Sequence, residues 1–167
     1  MKRFFLILLT IGFIAFYQQE SKAQALGTDY QNAVGGRFGV ANGITFKHFL
    51  TDNNAIDIIM NFRSKKNSFS VFKLYGLYEI HNPINGAPGL TWYYGVGGGI
   101  GSYTFKYKDD RKDEKDIALS ADGVLGLDYK FKDVPIGVAF DWKPSFELSP
   151  DQGLGFDGFG LSIRFAF

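Results

Sequence analysis

Few residues of this 167-residue chain have the types and spacing that catalysis or ligand chemistry requires. Cysteine is absent, and the two histidines are His48 and His81. A metal centre needs several convergent His, Cys or carboxylate ligands, and no His/Cys cluster exists, so neither a metal nor another cofactor is expected. The glycines at 95, 97, 98, 99 and 101 could be mistaken for a nucleotide loop. They do not give G-x-G-x-x-G spacing, and no Lys-Ser pair follows. Asp109, Asp110, Asp113, Glu114 and Asp116 are interleaved with Lys108, Arg111, Lys112 and Lys115. A calcium loop needs oxygen ligands at set spacing around a central glycine, so this stretch reads as a solvated loop.

The remaining charges have a pattern of another kind. Arg37, Lys47, Arg63, Lys73, Lys130, Lys143 and Arg164 are set against Asp57, Glu79, Asp122, Asp128, Asp141 and Glu147. Nearly all occupy positions that alternate with large apolar residues. Residues two apart share a face of a strand, so these charges belong to one face. Buried charges persist only when paired, and a near-neutral set of this kind predicts a closed network of ion pairs with a structural role.

The elements that position them are strands. Period-two alternation predicts eight, at about 33–41, 44–50, 55–63, 69–81, 90–105, 117–131, 136–147 and 159–167. The breaks carry turn signals: Asn42-Gly43, Asp52-Asn53-Asn54, Ser64 to Asn67, Asn82 to Gly89 and Lys132 to Pro135. Lys106 to Asp116 and Ser149 to Gly158 read as longer loops. Strands of about ten residues have the length that crosses a bilayer.

The N-terminus reads as a secretory signal. Lys2 and Arg3 precede an apolar run from Phe4 to Phe16, which is too short to span a membrane as a helix. Ser21-Lys22-Ala23 fits a cleavage site, so residues 1–23 are expected to be removed and 24–167 to form one domain. A net charge of +1 argues against a nucleic-acid partner.

Which strand face points inward decides the environment. One face is crowded with Phe, Trp, Tyr, Ile and Leu; the other carries Gly, Ala, Ser and the charges. An eight-stranded barrel has interior space only for modest side chains. The bulky face is therefore expected outside, against lipid, and only a closed barrel satisfies its backbone there.

From Ala33 to Phe167 the chain resembles the small eight-stranded outer-membrane barrels of the OmpX and OmpA-transmembrane-domain kind. The resemblance rests on the signal peptide, on Trp92-Tyr93-Tyr94-Gly95-Val96-Gly97-Gly98-Gly99, and on the terminal strand with Phe159, Leu161, Ile163, Phe165 and Phe167. It implies an all-β, antiparallel, up-and-down transmembrane barrel, monomeric, in the bacterial outer membrane. Both termini and the turns at Asp52, Asn82 and Lys132 would be periplasmic. The implied partners are outer-membrane lipid, lipopolysaccharide and the barrel-assembly machinery, which reads the terminal strand. The implied role is structural or surface-interacting, without a wide pore and without enzyme activity. Two alternatives stand beside it: a soluble exported lipid-binding barrel, and an outer-membrane lipid-modifying enzyme. A lipid A deacylase of this kind would group His, Ser and an acid at the outer leaflet. His81 falls at the periplasmic rim, and Leu50 stands two positions after His48 where serine would be needed.

Overall fold

The computed structural model describes residues 30–65, 69–105, 114–149 and 152–167. The expected signal peptide with its cleavage site, and most of the charged stretch 106–116, lie outside these residues. Eight strands form: β1 (Asn32–Gly39), β2 (Asn42–Phe49), β3 (Asn54–Lys65), β4 (Phe69–Pro83), β5 (Leu90–Phe105), β6 (Glu114–Lys130), β7 (Ile136–Ser149) and β8 (Gly153–Ala166). Each pairs antiparallel with its sequence neighbours, and β8 returns to β1, closing a barrel. Asn32 and Phe167 exchange both backbone hydrogen bonds at 2.8 and 2.7 Å, so the seam is paired up to the last residue.

The register holds each parity on one side. Phe140 lies opposite Leu161, Val34 opposite both Phe46 and Phe165, and Leu125 opposite Trp142. These residues face outward: Phe140, Trp142, Leu161 and Ile163 are 51%, 38%, 42% and 47% exposed. The opposite parity (Lys47, Asp57, Glu79, Asp141, Lys143) is buried in the lumen. Aromatic residues with polar tips gather on the outer face towards the end that carries the termini. Trp92 stacks on Tyr94 at 5.5 Å and Tyr129 meets Phe131 edge-on at 4.8 Å. Amphipathic rings of this kind form girdles at membrane boundaries.

Three expectations from the sequence need correction. Asn42-Gly43 is not the tip of the first hairpin. Both residues belong to β2, and Gly43 pairs with Arg37 and Asn61. A Cβ at Gly43 would lie 2.1 Å from the Met60 carbonyl oxygen, so glycine serves close strand approach here. The fifth loop is shorter than expected, because Glu114, Lys115 and Asp116 pair with Phe105, Thr104 and Tyr103.

The Ser149 to Gly158 stretch is also mostly strand, since β8 begins at Gly153 and Glu147 pairs with Gly153. Its alternation was masked by a bulge. Trp142 pairs with Phe159 but Pro144 with Phe156, which leaves one extra residue on β8. Gly158 absorbs it at φ 69°, a conformation that glycine adopts without strain. Outward positions therefore switch from even (Leu154) to odd (Phe159) numbering, and Pro144, which has no N–H to donate, sits where the ladder slips.

Leu161 lies near mid-height on the outer face. If the apolar outer face meets lipid, Leu161→Arg should destabilise the barrel refolded in lipid vesicles by about 2–4 kcal/mol, the cost of a cation near the bilayer centre. Denaturant titration of vesicle-inserted protein reads this directly.

Candidate functional site

The lumen holds most of the charged residues singled out above. Among the described residues, Arg37, Lys47, Lys73, Lys143 and Arg164 point inward with Asp57, Glu79, Asp122, Asp128, Asp141 and Glu147. Lys47 and Lys143 are fully buried, which lysine tolerates only when paired.

The densest group lies towards the end with the termini. Lys47 Nζ is 2.7 Å from Glu79 and 3.2 Å from Asp128. Arg164 donates to Asp57 at 2.8 Å and to Asp128 at 3.4 Å. The Thr45 hydroxyl donates to Asp57 at 2.5 Å. Residues from β2, β3, β4, β6 and β8 thus meet across the lumen. At mid-height the Arg37 guanidinium makes two parallel bonds to Asp141, at 2.5 and 2.6 Å, and the Tyr93 hydroxyl donates to the same carboxylate at 3.1 Å. Higher up, Lys143 bonds Asp122 at 3.3 Å and stands 3.4 Å over the Tyr75 ring. Ser120 also donates to Asp122, at 2.8 Å. Lys73 pairs with Glu147 near the far mouth, bridging β4 and β7.

Two residues of the predicted set lie elsewhere. Arg63 has the inward parity but sits exposed at the far rim, above the level where the lumen encloses side chains. Lys130 is at the opposite end, where its ammonium donates to the carbonyls of Phe131 and Val134 at 2.9 and 2.8 Å and ties down the β6–β7 turn. Both are at strand ends, where parity no longer implies enclosure.

Sequence reasoning overlooked the aromatic part of the lumen. Tyr30, just ahead of β1, meets Phe49 edge-on at 5.2 Å; Phe49 contacts His81 at 4.9 Å; and His81 stacks on Tyr93 at 4.7 Å. This chain of rings floors the lumen at the end with the termini. His81 is buried rather than free at a rim, with Glu79 at 3.1 Å, Thr91 at 3.3 Å and Lys47 at 3.4 Å. The signal was present in the parity: Phe49, Tyr75 and His81 alternate with outward residues just as the charges do. Glycines on the neighbouring strand make room for some of the long side chains. A Cβ at Gly126 would lie 2.7 Å from the Tyr93 ring, and one at Gly160 would lie 2.3 Å from the Arg37 guanidinium.

His48 faces outward near the same end, with Nδ1 2.8 Å from the Asn32 side-chain oxygen. Among the described residues no group of three or more His, Cys or carboxylate ligands is placed to hold a metal. The arrangement is thus one of paired charges crossing the lumen.

Removing one member of a buried pair leaves the other charge uncompensated. Asp141→Ala should cost about 3–5 kcal/mol, and Arg37→Met combined with Asp141→Leu should recover much of that loss. Denaturant unfolding of the four members of this cycle in one detergent is the measurement.

No family model matches the chain, and no curated protein matches it in sequence. Solved structures do match in fold. The N-terminal β-barrel domain of Pseudomonas aeruginosa OprF superposes with a TM-score of 0.59 at 18% identity, over 81% of this chain and 95% of that one. Neisserial surface protein A (NspA) gives 0.56 at 7% identity, over 81% and 93%. The fold is that of the small eight-stranded outer-membrane barrels.

Proposed function

We propose that this chain is an integral outer-membrane barrel of Gram-negative bacteria with a structural or surface-interaction role. It is exported on a signal peptide cleaved near Ala23, and it works as a monomer in contact with membrane lipid and lipopolysaccharide. The observation that carries this reading is the reversed polarity: large apolar side chains face outward on all eight strands while ion pairs fill the lumen. Soluble monomers rarely expose contiguous apolar surface beyond a few hundred Å². A soluble barrel carrying lipid inside would need the opposite arrangement, with an apolar lumen.

A filled lumen favours a plug over a pore. Lys47, Asp57, Glu79, His81 and Lys143 are each buried to 1% exposure or less, and their bonds run from wall to wall. An enzymatic reading finds little support in the histidines. Both lie towards the end with the termini, and the recorded partners of His81 are Glu79, Thr91 and Lys47. The terminal strand suits recognition by assembly machinery, because Phe159, Leu161, Ile163 and Phe167 present a continuous apolar edge that pairs only when the barrel closes.

Three outcomes are expected. The native protein should fractionate with outer membranes and run faster on a denaturing gel before boiling than after; recovery as a soluble periplasmic monomer would refute the reading. In planar bilayers it should show no sustained wide-pore conductance. Deleting Phe167 should leave refolding in detergent intact but lower the amount inserted in cells, read as the heat-modifiable fraction.

A further inference from the structure

The wall of the barrel is uneven at the far end. β1 and β2 pair with β8 and β3 only as far as Gly39 with Gly160 and Asn42 with Phe62. β8 runs on through residues 153–159, and β3 through residues 63–65. Among the described residues these extensions pair on one side alone, with β7 and β4. Strands lie about 4.8 Å apart, so the short hairpin leaves above it a slot two strands wide. Asn32 and Phe167 exchange both hydrogen bonds, so below the bulge at Gly158 the odd residues of β8 turn their N–H and C=O groups to β1. Above the bulge the even residues take that direction. The backbones of Leu154 and Phe156 therefore face the slot, and those of Gly153 and Gly155 face β7.

A free strand edge is a template for another strand, and proteins blunt such edges with charges, proline or caps. Two other open stretches are blunted in this way. Residues 114–118 of β6 lie beyond the end of β7 and carry Glu114, Lys115 and Asp116, and the Ser149 hydroxyl donates to the Ile117 carbonyl at 3.0 Å. Residues 63–65 of β3 carry Arg63 and Lys65. The β8 edge instead has Gly153, Leu154, Gly155 and Phe156 in a row without charge or proline, with Asp157 at its foot. Leu154 is 73% exposed. The inner side of the slot has a demand of its own. Asn61 Oδ1, Ser145 Oγ and Glu147 Oε2 are buried without a hydrogen-bond partner among the described residues. They gather about the Lys73–Glu147 pair: Asn61 is the cross-strand neighbour of Lys73, and Ser145 and Glu147 lie opposite Gly155 and Gly153. All three oxygens accept hydrogen bonds.

We infer that the free edge of β8 is a docking site for an extended peptide segment of a partner protein, added as a strand along residues 153–157. The inference deepens the surface-interaction role and rests on the outer-membrane reading, which turns this end to the cell exterior. Strand addition supplies the backbone partners that Leu154 and Phe156 lack, and alternate side chains give specificity. Side chains of the added strand that point inward meet the oxygens of Asn61, Ser145 and Glu147, so neutral donors such as serine and asparagine suit them. Cationic ones would meet Lys73. Those that point outward continue the belt of Val40, Leu154 and Phe159, so they are apolar.

The test uses the full mature barrel in detergent micelles and a fluorescein-labelled synthetic peptide that alternates valine with serine and asparagine. Binding is read by fluorescence anisotropy. Leu154→Pro removes the N–H that faces the slot and spares the ladder to β7, whereas Leu154→Ala keeps that N–H and removes only the side chain. Affinity should fall about tenfold for Leu154→Pro and hold within about twofold for Leu154→Ala. Two copies of the peptide, N-methylated at alternate amides in opposite phase, should differ in binding to wild type, because only one phase turns its free amides to β8. Equal binding by wild type and Leu154→Pro overturns the inference, as does equal binding of the two methylated copies or no binding at all by a heat-modifiable wild type. A dimeric wild type that Leu154→Pro makes monomeric also overturns it, since the occupant is then a second copy. Heat-modifiable mobility is scored first; if Leu154→Pro does not fold, the methylated copies decide on wild type alone. Absence of heat-modifiability in the wild type defeats the membrane reading itself.

Discussion

Closure of β8 onto β1 is the constraint on which everything else in this molecule depends. Once Asn32 and Phe167 pair, every strand has two neighbours and no edge remains around the closed part of the wall. An open sheet in hydrocarbon would leave rows of unpaired backbone groups, each costing several kcal/mol. Closure with eight strands also sets the interior width, and so decides which side chains can be inside. Some of the large side chains inside stand beside a glycine of the neighbouring strand, as Tyr93 does beside Gly126.

The charged lumen follows from the same geometry. If the apolar exterior meets lipid, as proposed above, hydrophobic burial gives little reason to prefer one face over the other as the inner face, because lipid is as apolar as any core. The ion pairs supply that preference. A one-residue slip between neighbouring strands would turn a full set of charged side chains onto the apolar outer face. Arg164 would leave Asp57 and Asp128, and Lys47 would leave Glu79. Wall-to-wall bonds therefore hold the register and fill the space in one stroke. Such pairs bring modest net stability, since desolvation offsets much of the attraction, but a broken pair is costly.

Much of this was legible in the chain. Strand number and parity follow from alternation, and the outward face from the bulk of the side chains on it, since a narrow barrel has limited room inside. What escaped detection has physical causes. The first part of β8 was hidden because the bulge at Gly158 shifts the alternation by one, and a strict period-two reading breaks there. Arg63 and Lys130 were misplaced because parity gives direction without depth. The ring chain of Tyr30, Phe49, His81 and Tyr93 went unread because aromatic residues on the polar face look like exceptions until the glycines opposite them are known.

The sequence by itself determined the covalent pattern that any fold must honour: eight alternating segments, two chemically opposite faces and a terminal strand ending in phenylalanine. It did so because a strand's side-chain period is local, fixed by adjacent peptide units. Only the tertiary structure decided which charge meets which. Arg37 bonds Asp141 and Arg164 bonds Asp57, across separations of 104 and 107 residues. It likewise brought Asn61 and Ser145 beside the Lys73–Glu147 pair. Those partnerships depend on strand stagger and barrel radius, which are set when all eight strands close together and are properties of no single segment.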